Sequence, residues 1–204
     1  MNKLRQVLAA ALICLGTFTL CPAEQKARTP GLYASFETSM GPFVCELYEK
    51  AAPIAVENFV GLAAGTKEWL SPKGQFMKNT PYYKGVIFHR VIKGFMIQAG
   101  DITGKGTFNP ILPFKDEIVP TVRFDKAGVL ALANNGKNTN GSQFFITVSP
   151  QARLDGKYTI FGKVVEGYEV VHAISEVPVS PGGRPLKDVV ITKITIDRVA
   201  KPSG

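Results

Sequence analysis

Residues 85–101, GVIFHRVIKGFMIQAGD, set Arg90 and Gln98 into a run of Val, Ile, Phe and Met apolar enough for a pair of core strands. A guanidinium is always charged, and burying it unpaired is very costly. Arg90 therefore either snorkels off a sheet edge or faces a cavity that needs a cation. A second stretch, GSQFFITV at 141–148, again sets an amide, Gln143, beside large apolar side chains. Just before it, ANNGKN at 133–138 begins a loop that carries Asn134, Asn135, Asn138 and Asn140. Such residues organise backbone through their own hydrogen bonds. One fixed cation, two amides and apolar neighbours are groups that hold and polarise a bound molecule.

Residues for other chemistries are missing. The only histidines are His89 and His172, and there is no G-x-S-x-G, so a serine hydrolase lacks its parts. His89 falls on the strand face opposite Arg90 and reads as structural; His172 reads as a surface or packing residue. Lys137 follows Gly136, but Ala131 stands where a phosphate loop needs its first glycine and Asn138 follows the lysine. No His/Cys cluster has metal-ligand spacing, so neither metal nor cofactor is expected. The Asn140-Gly141-Ser142 tripeptide reads as a turn beside a pocket rather than a glycan site.

The elements that must position these groups follow from pattern. LYASFET and FVCELY alternate on either side of Ser39-Met40-Gly41-Pro42, which predicts a β-hairpin. AAPIAVENFVGLAAG predicts a helix, with Pro53 near its start, Val56, Phe59 and Val60 on one face and Gly65 as its stop. Residues 66–84 read as a long loop around Trp69. Strand-like runs follow at 86–91, 95–99, 128–133, 143–148 and 159–165, then a helix at 166–175 and a closing strand in VVITKITIDRV. Many short strands with two helices predict a closed or nearly closed antiparallel barrel. Parity then places Met96 with Gln98, and Gln143 with Phe145, while Phe144 points the other way.

The 204 residues, 45% of them hydrophobic and 20% charged, suffice for one domain with a sizeable core. Residues 1–23 read as a secretory signal: Lys3 and Arg5, an apolar run too short for a bilayer span, then Cys21-Pro22-Ala23. Its removal takes two cations and no acid, so the formal charge falls from +8 to +6. It also takes Cys14 and Cys21, leaving Cys45 as a small buried hydrophobe with no disulfide partner. The expected organisation is signal 1–23, linker 24–31, domain 32–199 and tail 200–204. Export to a bacterial periplasm is expected; secretion and signal anchoring are the alternatives. Scattered lysines and the lack of any nucleic-acid motif predict no nucleic-acid partner.

At FHRVIKGFMIQAGD, LALANNGKNTNGSQFFIT and LDGKYTIFGKV the sequence resembles the cyclophilins, a family of peptidyl-prolyl cis-trans isomerases, in an exported bacterial-like form. The resemblance runs from about Leu32 to Val199. It implies an all-β fold with two helices: a closed eight-stranded antiparallel β-barrel capped by α-helices, with a groove on its outer wall. It implies a catalytic Arg90 and a proline pocket of Phe95, Met96, Phe145 and Leu154. Gln98, Gln143 and the Ala133-Asn134 backbone would hold the peptide, and Tyr158 would close the rim. Tyr158 stands where the family usually has His. Arg153 stands where it often has Trp, which implies weakened cyclosporin contacts. The implied partners are proline-containing peptides and folding proteins, met by a monomer with no membrane span after signal cleavage. A groove that captures X–Pro segments without turning them over is the competing reading.

Overall fold

The computed structural model describes residues 28–201, so the expected signal lies outside the described residues, as do the first half of the expected linker and the end of the tail. Alternation at the start of the chain forms the hairpin β1 (Gly31–Thr38) and β2 (Gly41–Leu47). Helix α1 (Pro53–Ala64) has proline in its first turn and ends on Gly65, whose φ of 77° is the left-handed conformation a glycine adopts freely. Helix α1 has no acid in its own first turn. The distant Glu117 carboxylate instead accepts hydrogen bonds from the Ile54 and Ala55 N–H groups, at 3.1 and 2.8 Å.

The 66–84 segment is not a plain loop. It pairs β3 (Trp69–Leu70) with β4 (Phe76–Met77). Trp69 is buried and its indole Nε1 donates to the Thr80 carbonyl at 2.8 Å, so the only tryptophan is structural. Short strands follow: β5 (Arg90–Ile92), β6 (Met96–Ala99), β7 (Val129–Leu132), β8 (Phe144–Thr147) and β9 (Ile160–Glu166). Helix α2 (Tyr168–Ser175) and the long β10 (Ile191–Val199) complete the fold.

Eight strands form one antiparallel sheet in the order β10-β1-β2-β9-β7-β8-β6-β5. The expected closed barrel is corrected here: the sheet curls into a half-barrel, and its edge strands β5 and β10 form no continuous ladder. The predicted strand at 86–91 is the reason. Ladder pairing starts only at Arg90, and residues 85–88 meet 189–191 through an Ile87–Val190 bridge and scattered backbone bonds such as Phe88 N–H to Val189 O at 2.9 Å.

The two faces of the sheet bury different clusters. One face shares a core with both helices, in which Phe59 of α1 packs against Phe36, Tyr83, Phe144 and Phe161 with ring centroids 5.1–6.0 Å apart. The other carries a smaller cluster of Met96, Phe124, Val129, Ala131, Phe145, Leu154 and Ile160. The period-two alternation of strands divides them: Leu130, Leu132 and Phe144 go inward, Val129, Ala131 and Phe145 outward.

Candidate active site

Strand register puts the polar groups in one row. Arg90 of β5 faces Gln98 of β6, Gln98 faces Phe145 of β8, and Phe145 faces Ala131 of β7. Arg90 Nη1 donates to Gln98 Oε1 at 3.3 Å, and Gln98 Nε2 donates to Gln143 Oε1 at 3.0 Å. Gln143 Nε2 then donates to the Gly106 and Phe108 carbonyls, at 3.1 and 3.4 Å. Each amide therefore has a fixed orientation, and the guanidinium is held from one side with donors left over.

The carbonyls that end this chain lie on residues 102–109, which a buried carboxylate organises. Asp101, fully buried, accepts from Thr103 N–H and Oγ1 (both 2.7 Å), Thr107 N–H (2.9 Å) and Phe108 N–H (3.0 Å). Burial alone would raise its pKa, but these hydrogen bonds outweigh it and hold the carboxyl below its ordinary range. Gly100 makes the approach possible: its φ is +96°, and a Cβ there would lie 2.4 Å from the Ser142 carbonyl oxygen. Tyr82 and Tyr83, at the end of the 66–84 segment, brace the same point by donating to the Gly100 and Ser142 carbonyls at 3.1 and 3.0 Å.

Arg90, Phe95, Met96, Gln98, Ala133, Asn134, Phe145, Leu154 and Tyr158, which are all the expected site residues except Gln143, line one cleft of about 360 Å³. Gln143 lines an adjoining recess of about 80 Å³, which Gln98, Ala133 and Asn134 border as well. Phe145 stacks on Phe124 with centroids 5.8 Å apart, and Tyr158 meets it edge-on at 5.4 Å. Phe95, beside the pocket, has the Arg153 guanidinium over its ring at 4.6 Å. Asn134 is fixed at the rim by donating Nδ2 to the Lys157 carbonyl at 3.0 Å. A second recess of about 450 Å³ lies by Tyr48 and residues 121–126, with mixed charge and none of the predicted groups.

Several lining residues escaped the sequence reading. His89 borders the cleft together with Arg90, is buried, and has neither ring nitrogen hydrogen-bonded. Burial lowers its pKa; Asp101 opposes this, while Arg184 and Arg90 add to it. Lys105, Gly106 and Gly182 also line the cleft, beside Asn135 of the asparagine-rich loop. The Gly-rich GKG at 104–106 was the available signal for the first two. Asn140 is fully buried, its backbone bridges Phe114, and its Nδ2 donates to the Lys115 carbonyl at 3.0 Å and Asp116 Oδ1 at 2.9 Å, so the expected turn at Asn-Gly-Ser is a packed structural bridge instead. Cys45 is fully buried, and burial raises its thiol pKa.

Comparison with known proteins points one way. Residues 33–196 match the model of the cyclophilin type peptidyl-prolyl cis-trans isomerase family. The chain is 47% identical over 169 residues to peptidyl-prolyl cis-trans isomerase B of Streptomyces anulatus, covering 81% of this chain and 97% of that one. It is 47% identical over 165 residues to peptidyl-prolyl cis-trans isomerase A of Mycobacterium tuberculosis, covering 80% and 91%. A Cryptosporidium parvum cyclophilin type isomerase, solved in the presence of the dipeptide ala-pro, superposes with a TM-score of 0.72 at 35% identity, covering 82% of this chain and 99% of that one. With that fold, that cleft and those relatives, the chain belongs to the cyclophilin-type peptidyl-prolyl cis-trans isomerases.

Proposed function

We propose that Arg90 is the transition-state donor of this isomerase and that its clients are proline-containing segments of exported proteins as they fold. An X–Pro bond resists rotation by about 18–20 kcal/mol, and uncatalysed exchange takes on the order of tens to hundreds of seconds. No covalent bond has to be made or broken. In the twisted state the imide nitrogen loses conjugation and gains a lone pair, so a fixed N–H donor aimed at it binds that state more tightly than either planar isomer. Each reduction of about 1.4 kcal/mol in the barrier is tenfold in rate.

The observation that carries the reading is the row Arg90–Gln98–Phe145, with the guanidinium tethered beside an apolar pocket. Phe95, Met96, Phe145 and Leu154 have the size and polarity to take the proline ring. Gln98, Gln143, Ala133 and Asn134 border the space a flanking peptide would occupy, and Tyr158 bounds its rim. The relative solved in the presence of ala-pro supports a proline-containing ligand for this fold. Replacing Arg90 by Ala is expected to lower kcat/KM by about 10²–10³, the cost of losing one oxyanion-type donor. A protease-coupled assay on a proline peptide, with circular dichroism as control, reads this out. Near-normal rates in folded Arg90→Ala would remove Arg90 from the reaction, and a parent protein that binds the peptide without accelerating its isomerisation would make the groove a binding module for X–Pro segments.

The exported setting rests on residues 1–23: a basic start, an apolar run and a small residue at the expected cut. We place the mature protein in a bacterial periplasm as a monomer. Intact mass from the native host should lack about the first 23 residues, and full-length chain in the soluble cytosol would overturn the assignment. No helix among the described residues is long and apolar enough to cross a membrane.

A further inference from the structure

The charges around the cleft are one-sided. Six arginines fall among the described residues, and four of them (Arg28, Arg123, Arg184 and Arg198) are ion-paired with carboxylates. Of the two in no ion pair, Arg90 lines the cleft and Arg153 lies over the ring of Phe95, which lines it. Lys105, also exposed and in no ion pair among the described residues, lines the same cleft beside Gly106, and no carboxylate lines it. The nearby acids are engaged elsewhere: Asp155 with Arg123 and the Phe124 N–H, Asp188 with Arg184, and Asp101 with the 103–108 backbone. The Arg153 guanidinium is oriented as well as unpaired, because it stacks on Phe95 at the border of the apolar pocket. A stacked fork loses less freedom than a lysine when it captures a carboxylate.

We propose that this cleft selects X–Pro segments carrying Asp or Glu within a residue or two of the proline, with Arg153 and Lys105 as its specificity-determining residues. The inference rests on the site assignment above and names the substrate class that site prefers. Arg90 serves the bond that rotates, while Arg153 and Lys105 meet the flanks. Exposed pairs are individually weak and screened by salt, so the preference is modest, rises at low ionic strength and acts mainly on capture.

The test compares three peptides with the same X–Pro core, flanked by Glu, by a neutral residue or by Lys. At low ionic strength kcat/KM is expected to rank Glu above neutral above Lys, with a total spread of about 3–10-fold. The spread should flatten at about 0.5 M salt and in the Arg153→Gln, Lys105→Gln double variant. Equal values for the three peptides on the unaltered protein overturn the inference. A spread that the double variant retains also overturns it, since the charge would then lie elsewhere. Turnover of the neutral peptide, and its loss in Arg90→Ala, tests the site assignment separately, so the two can fail independently.

Discussion

Phe144 and Phe145 are consecutive on β8 and both are at least 95% buried, yet they serve different cores. Phe144 sits among Phe36, Phe59 and Tyr83, sealed between sheet and helices. Phe145 lies in the thin outer cluster, where one side of its surroundings is a cleft. Packing on the inner face is closed on every side, so each ring there is held by its neighbours. On the outer face the apolar groups are held equally well by the sheet but leave a surface for a guest. An apolar cleft wall is thus obtained without opening the main core, because one strand backbone supports both.

Truncation separates the two faces most sharply. Phe144→Ala should cost about 3–5 kcal/mol in urea unfolding, the range for emptying a closed aromatic site. A loss below about 1 kcal/mol would mean the inner cluster can collapse, contrary to dense packing. Phe145→Ala should cost roughly half as much, since water can enter from the cleft, but should raise KM several-fold with little change in kcat, as contact made to both isomers is lost. A fall in kcat with unchanged KM would remove Phe145 from ground-state capture.

A third test addresses the carboxylate behind the wall. Asp101→Asn should cost about 1–3 kcal/mol at neutral pH, because an amide cannot accept from all the donors that surround the carboxylate. The native pKa is lowered, so the stabilisation is complete above the ordinary carboxyl value of about 3.9 and is lost as pH falls through the native value. The gap between parent and variant should stay flat from about pH 7 to about 5 and narrow below about pH 4. A gap independent of pH would show that ionisation of Asp101 is not what holds the 102–109 segment. The smallest expected effect is on stability in Arg90→Ala. An exposed Arg tethered by one 3.3 Å bond should change unfolding by no more than about 0.5 kcal/mol. A large loss would make the polar row structural and erase the contrast between the faces.

Much of this was legible in the residues. The β1–β2 hairpin, α1 with its Pro53 start and Gly65 stop, and the inward Phe144 with outward Phe145 all follow from periodicity and turn chemistry. The gathering of Arg90, Met96, Gln98 and Phe145 at one cleft was implied by family resemblance together with parity. His89 shows the limit of parity: it precedes β5, where the chain is not in a regular ladder, so alternation misplaced it away from the cleft. The β3–β4 pair was missed because two-residue strands have no period to detect.

The residue order by itself determined local properties: which face each strand residue takes, where helices begin and end, and which side chains are apolar, charged or absent from the chain. These depend on neighbours within a few positions, and backbone sterics and hydrogen bonding act at that range. Tertiary structure alone decided that the eight strands stop at a half-barrel, since closure depends on whether residues 85–88 and 189–191 meet in a ladder. It alone linked Arg90 to Gln98, Gln143 and the Gly106 carbonyl, and placed Asp101 beneath that segment. Pairings between residues up to 45 positions apart are set by sheet register and the loops it supports, and no local pattern encodes which distant donor will face which acceptor.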